Sequence, residues 1–193
     1  MNKSRIEAFS DGVIAIIITI MVLEFKVPHG EQWEDLWPLW PVFVSYVLSF
    51  ANVGIYWSNH HHLLHTVKQV NGPILLANLN LLFWLSLMPF TTAWVGENHF
   101  AATPMALYAV DLSLCAISYT VLQLQIIRSH GPESLISQAV GSDTKGKVSL
   151  ASYVAAVPLA LLGWPLLSGL LIFLVACIWL IPDRRIERKL TQD

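Results

Sequence analysis

Charge is what this sequence has least of. Only 12% of its 193 residues are Asp, Glu, Lys or Arg, half of the roughly 25% that a soluble domain carries. That scarcity argues against a soluble enzyme and against a disordered chain. No basic block occurs, and a net charge of −2 with an isoelectric point near 6.4 speaks against nucleic acid as a partner. Cysteine is almost missing: Cys115 and Cys177 each lie in an apolar run, which excludes a disulfide framework and a CxxC metal knuckle. GxSxG, P-loop, HExxH and paired-cysteine zinc patterns are absent, as is the TVGYG filter of tetrameric potassium channels. The expectation is therefore no enzyme, no cofactor and no resident metal.

What is present is apolar. Hydrophobic residues make up 55% of the chain, mean hydropathy is +0.57, and eight tryptophans suit the two interfacial belts of a bilayer. About 20 apolar residues cross a membrane as a helix. The sequence predicts an all-α membrane protein, a single domain over residues 1–193, with six helices at about 5–26, 36–65, 73–95, 104–128, 147–163 and 165–182. The fifth is the shortest apolar stretch, and Gly163-Trp164 makes the last two a hairpin. In this arrangement ten of the eleven Lys and Arg residues fall on one side, against Lys26 on the other. The positive-inside bias puts both termini in the cytoplasm of a multi-pass plasma-membrane protein.

That topology also sets depth. Arg5, Ser10 and Asp11 on helix one, Asn59 to His62 and His65 on helix two, and Asn78 and Asn80 on helix three share one layer of the inner leaflet. Asp11 is expected to accept from Asn, Ser or His donors, with Arg5 balancing its charge. Two readings stand: a hydrogen-bonded network that locks three helices together, or an ion or proton path. His61 and His65 lie four apart, as two metal ligands would, but spacing supplies no third. Asp111, in the outer half of helix four near Tyr108 and Ser113, is either a carboxyl paired inside the bundle or an acid on an ion path.

Helix one is the least ordinary segment. At about 100° per residue, Gly12, Ile16, Thr19, Ile20 and Leu23 form one stripe, apolar apart from a hydroxyl. Periodicity alone leaves open whether it meets lipid, core or a pore.

Arg5-Ile6-Glu7-Ala8-Phe9-Ser10-Asp11-Gly12 resembles the R-x-x-x-F-S-D motif of the TMEM175 family of potassium channels. The likeness continues in Ala15-Ile16 and Leu23-Glu24, in Trp57-Ser58-Asn59-His60-His61-His62, and from Asn80-Leu81-Leu82 to Met88-Pro89-Phe90-Thr91-Thr92-Ala93. It covers about the first 95 residues; Leu64, where an aromatic is usual, is a small departure. The resemblance implies one six-helix repeat per chain and a homotetramer in the bilayer, with helix one lining a central pore. It implies that Ile16 is the narrowest constriction, with Ile20 and Leu23 one and two turns outward and Thr19 as the pore-lining hydroxyl. Arg5, Phe9, Ser10, Asp11, His60, His61, Asn78 and Asn80 then form a structural polar motif. The implied function is a potassium-permeable channel that also passes other monovalent cations, with a hydrophobic gate and a modest preference for K+ over Na+. The competing readings are a proton-coupled secondary transporter or a proton-conducting channel built on the Asp and His layer.

Overall fold

The computed structural model describes residues 3–131 and 143–180, and no strand occurs among them. The helices are α1 (Lys3–Leu23), a 3-10 segment (Trp33–Leu39), α2 (Trp40–His65), α3 (Gly72–Leu85), α4 (Met88–Glu97), α5 (Ala102–His130), α6 (Thr144–Leu161) and α7 (Pro165–Leu180). They make six helical passes, because the 3-10 segment leads into α2 and α3 is followed almost at once by α4. Four passes are long and apolar enough to cross a membrane: Lys3–Leu23, Trp33–His65, Gly72–Glu97 and Ala102–His130. The α6–α7 hairpin is shorter, with 18 and 16 residues.

The sequence expectation needs correction at four places. The third helix is not continuous over 73–95: α3 stops at Leu85, and α4 begins at Met88. Pro89 is the physical cause, since it has no N–H to give and its ring crowds the carbonyl four residues back, that of Leu85. The first helix ends at Leu23 rather than 26. The second pass begins as a 3-10 turn around Pro38 before the α-helix sets in at Trp40, with Pro41 in its first turn. The fifth helix starts at Thr144, three residues early, where the Asp143 carboxylate caps it by accepting from Gly146 N–H at 3.1 Å. Asn71, which the sequence reading did not single out, caps α3 by accepting from Ile74 N–H at 3.0 Å. Gly163, at φ +94°, makes the tight turn between α6 and α7. Arg184, Arg185, Arg188 and Lys189, counted in the charge bias, lie outside the described residues.

α5 is the central post, packed against α3, α4, α6 and α7. Its inward side carries Met105, Ala109, Leu112, Cys115, Leu122 and Ile126, all buried. The hairpin closes on it through small side chains, Ala156 and Ala160 on α6 and Ser168 and Ala176 on α7, which let helix backbones approach closely. Trp179 Nε1–H donates to Ser149 Oγ at 2.8 Å and ties the open end of the hairpin. α1, by contrast, is peripheral: it touches α2, α4 and α3 only along one side.

Candidate functional site

One side of α1 is committed to the protomer. Ile6, Ser10, Ile14, Ile17 and Met21 are buried, at spacings of three and four that trace a single helical face. The opposite face carries Arg5, Phe9, Gly12, Ile16, Thr19, Ile20 and Leu23, all exposed, with Ile16 57% and Leu23 76% accessible. The stripe expected from periodicity is thus real, and it points out of the protomer. Thr19 satisfies its hydroxyl on its own helix, donating to the carbonyls of Ile16 (3.0 Å) and Ala15 (3.1 Å), so its lone pairs remain toward the stripe. Beside the stripe, α1 and α4 enclose an apolar groove of about 460 Å³, floored by Ile16, Ile17, Ile20, Pro89 and Phe90, with Glu24 at its rim.

The buried face explains why α1 keeps this orientation. Its N-terminal end is stitched to α2 in antiparallel register, each step four residues along both helices. Lys3 Nζ donates to the His65 carbonyl at 2.8 Å, Glu7 Oε1 lies 3.4 Å from His61 Nδ1, and Trp57 Nε1–H donates to Asp11 Oδ1 at 3.0 Å. A second connection reaches α3. Asn78 Nδ2–H donates to Ser10 Oγ at 3.0 Å, and Ser10 donates to the Ile6 carbonyl at 2.8 Å. The other end of the Asn78 amide, Oδ1, accepts from His60 Nε2–H at 2.7 Å. His60, Ser10 and Asn78 are all fully enclosed.

The structure therefore brings together Ser10, His60 and Asn78, and puts Asp11 and His61 on the adjoining α1–α2 seam. Three sequence expectations do not hold within the protomer. Arg5 is exposed and makes no ion pair with Asp11, whose partner is the Trp57 indole. Phe9 is exposed on the Ile16 stripe. Asn80 leaves the layer: two residues beyond Asn78 it faces the other way, and its Nδ2–H donates to Ser118 Oγ on α5 at 2.7 Å. His61, His62 and His65 are exposed. No group of three His, Cys, Asp or Glu side chains positioned to hold a metal occurs among the described residues.

A second polar layer lies toward the Met21 end of α1, and of its members sequence reasoning named only Asp111 and its neighbour Tyr108. The Thr92 and Ser49 hydroxyls are 2.6 Å apart, and those of Ser49 and Tyr108 are 2.9 Å apart. Asn52 continues the chain, 3.5 Å from the Tyr108 hydroxyl and 3.4 Å from that of Tyr153. Next to it Thr91 Oγ1 donates to Asp111 Oδ2 at 3.1 Å. The usable signal was Thr91-Thr92, two hydroxyls in succession inside an apolar run, flanked by Ser49 and Asn52 at one-turn spacing on the preceding pass. Beyond the C-terminal end of α1, Lys26 pairs with Glu97, tying the exit of α1 to the end of α4.

Comparison with known proteins decides the family. The chain is 53% identical over its full length to a potassium channel of Chryseobacterium sp., covering all of both chains. It belongs to the TMEM175 family. The family profile, described as "Endosomal/lysosomal potassium channel TMEM175", matches residues 5–89, from Arg5 to Pro89 in the first turn of α4. A potassium channel of Streptomyces collinus is 33% identical over 88% of this chain and 83% of its own. Among solved structures, the crystal structure of a lysosomal potassium-selective channel TMEM175 homologue from Chamaesiphon minutus aligns with a TM-score of 0.80 and 29% identity, covering 93% of this chain and 96% of that one. The human endosomal/lysosomal proton channel TMEM175 is 38% identical over 43% of this chain, a match spanning 19% of its own length. The TMEM175 match thus contains both the α1 stripe and every residue of the inner polar layer, whereas the profile stops short of α5–α7.

Proposed function

We propose that this chain is the subunit of a homotetrameric, potassium-permeable channel of the plasma membrane, with both termini cytoplasmic and four copies of α1 around a central pore. One observation carries the reading. The helix with a hydrogen-bonded, buried back presents an unpartnered front whose middle is Ile16, 57% exposed on the isolated protomer. The relatives named as potassium channels support it.

Four Ile16 side chains facing an axis form an apolar ring. Such a ring gates by dewetting: narrowed, it empties of water and blocks ions; widened, it refills. A cation crossing it sheds part of its hydration shell with no carbonyl cage to replace the lost oxygens. Potassium holds water less tightly than sodium and so meets the lower barrier, which gives modest selectivity. Ile20 and Leu23 extend the apolar waist outward, and Thr19 sets a hydroxyl beside it. The polar layer of Ser10, Asn78 and His60 acts as an anchor that fixes the rotation of α1. Ile16→Asn puts an amide in the ring and is expected to raise unitary current in planar bilayers and lower the K+ over Na+ preference; unchanged conduction and ion preference reject the assignment.

A carrier is the second reading, and it has one observation on its side: the third pass is broken between α3 and α4, as substrate-binding helices of carriers are. Unitary current steps favour the channel; saturable electroneutral flux favours the carrier. The human relative named as a proton channel makes H+ a second candidate permeant, tested by whether the reversal potential follows a pH gradient at fixed K+.

A further inference from the structure

The inner polar motif was expected to use Arg5 as a counter-charge, and the structure releases it from that duty. Helical phase says where it goes. α1 is unbroken from Lys3 to Leu23, so at about 100° per residue Arg5, Phe9, Gly12, Ile16, Ile20 and Leu23 all fall within about 40° of Ile16. Exposure agrees, since each of these residues is exposed and the buried face lies on the other side. The other charged residues of α1 are turned away from this front and engaged with α2: Lys3 on the His65 carbonyl, Glu7 on His61, Asp11 on Trp57. Arg5 is the only charge on the stripe, and it has no ion pair among the described residues. It stands eleven residues from Ile16, about 16 Å along the axis at roughly 1.5 Å per residue.

We propose that Arg5 forms a ring of positive charge at the cytoplasmic mouth of the pore, which opposes cation entry from that side and makes conduction depend on its direction. The inference rests on the pore reading above, because only an axial arrangement gathers four copies of the stripe. A guanidinium stays charged at every accessible pH. Four of them around a narrow aqueous mouth lower the local cation concentration by the same focusing that acidic rings use to raise it. Cations arriving from the outer side meet this ring only after the Ile16 constriction, so outward current suffers more than inward. The effect is screened by salt: the Debye length falls from about 10 Å at 0.1 M to about 3 Å at 1 M.

The test is current–voltage recording of the tetramer in planar bilayers with symmetric KCl at about 0.1 M and about 1 M. The wild type should pass less outward than inward current at the lower salt and approach symmetry at the higher. Arg5→Gln should raise outward current about two-fold or more at the lower salt, with little change at the higher. Arg5→Lys should keep the asymmetry. A wild-type curve whose shape is independent of salt overturns the proposal, even if Arg5→Gln fails to assemble. So does an Arg5→Gln curve that superimposes on wild type at low salt. Ile16→Asn recorded alongside separates the failures: if it changes conduction while Arg5→Gln does not, the pore reading stands and the ring falls. If neither alters conduction, both fall.

Discussion

Asn78 does the work of two residues. Its amide receives His60 on one side and donates to Ser10 on the other, with all three enclosed. A buried donor left without its acceptor costs about 1–3 kcal/mol. Asn78→Leu strands the His60 Nε2–H and removes the link to α1, so thermal unfolding in detergent should show a midpoint clearly below wild type; an unchanged midpoint would mean that the layer does not hold α1. The Lys26–Glu97 pair makes a contrasting, pH-dependent claim. The hydrogen bond to Glu97, and then its charge, raise the Lys26 ammonium above its ordinary 10.5. A raised lysine contributes stability that is complete below about 10.5 and disappears as pH climbs through the folded value. Lys26→Met should therefore lower the midpoint slightly near pH 8, as befits an exposed pair, and the difference from wild type should close above pH 10.5. A gap that widens instead would reverse the sign of the linkage. At this scale the membership of the inner layer was partly legible: helix topology fixes depth, and depth alone put Ser10 and Asn78 together. Partners were not legible, because pairing depends on rotation about each helix. Asp11 found the Trp57 indole rather than Arg5 for that reason, and Asn80 turned toward Ser118.

Helices are where short-range chemistry decided most and where proline decided the remainder. Among the described residues, apolar runs located the helix bounds to within a few residues, the expected end of the last helix at 182 lying outside them, since each pass must cover the same hydrocarbon thickness. The break at 86–87 was written in Pro89 and was masked by the unbroken hydropathy around it. Consequences of the break reach the site: α4, set off from α3, supplies one wall of the groove beside Ile16 and Ile20. Its fit against α2 depends on Gly96. A Cβ there would stand 2.7 Å from Val42 Cα and 2.6 Å from Ser45 Oγ, and backbone cannot move aside cheaply. Gly96→Ala should cost about 1–3 kcal/mol by overpacking, whereas Gly12→Ala, which meets nothing within 4 Å, should leave the melting midpoint of the protein near that of wild type. Equal midpoints for the two variants would show that α2 and α4 do not approach as closely as described.

For the whole molecule, the protomer is built around α5, and the helix assigned to the pore is its most loosely surrounded one. This is the arrangement a subunit needs if its functional surface is completed by copies of itself: the back of α1 is bound with specific hydrogen bonds, and its front is exposed. Fold class and family were readable because the residues that carry them, Arg5 to Asp11 and Trp57 to His62, are consecutive or nearly so. The second polar layer was not, because Thr92, Ser49, Tyr108, Asn52 and Tyr153 come from four helices and meet only when these pack.

The central claim is that Ile16 lies in the ion path, and cysteine accessibility tests it most directly. In a Cys177→Ser background, which leaves only the buried Cys115, Ile16→Cys channels in a planar bilayer are exposed to a thiol-reactive cation during K+ conduction. The account predicts that current through Ile16→Cys falls on exposure, while current through the matched Ile17→Cys variant, one position away on the buried face, persists. Block at Ile17→Cys with none at Ile16→Cys, or no block at either, would contradict it.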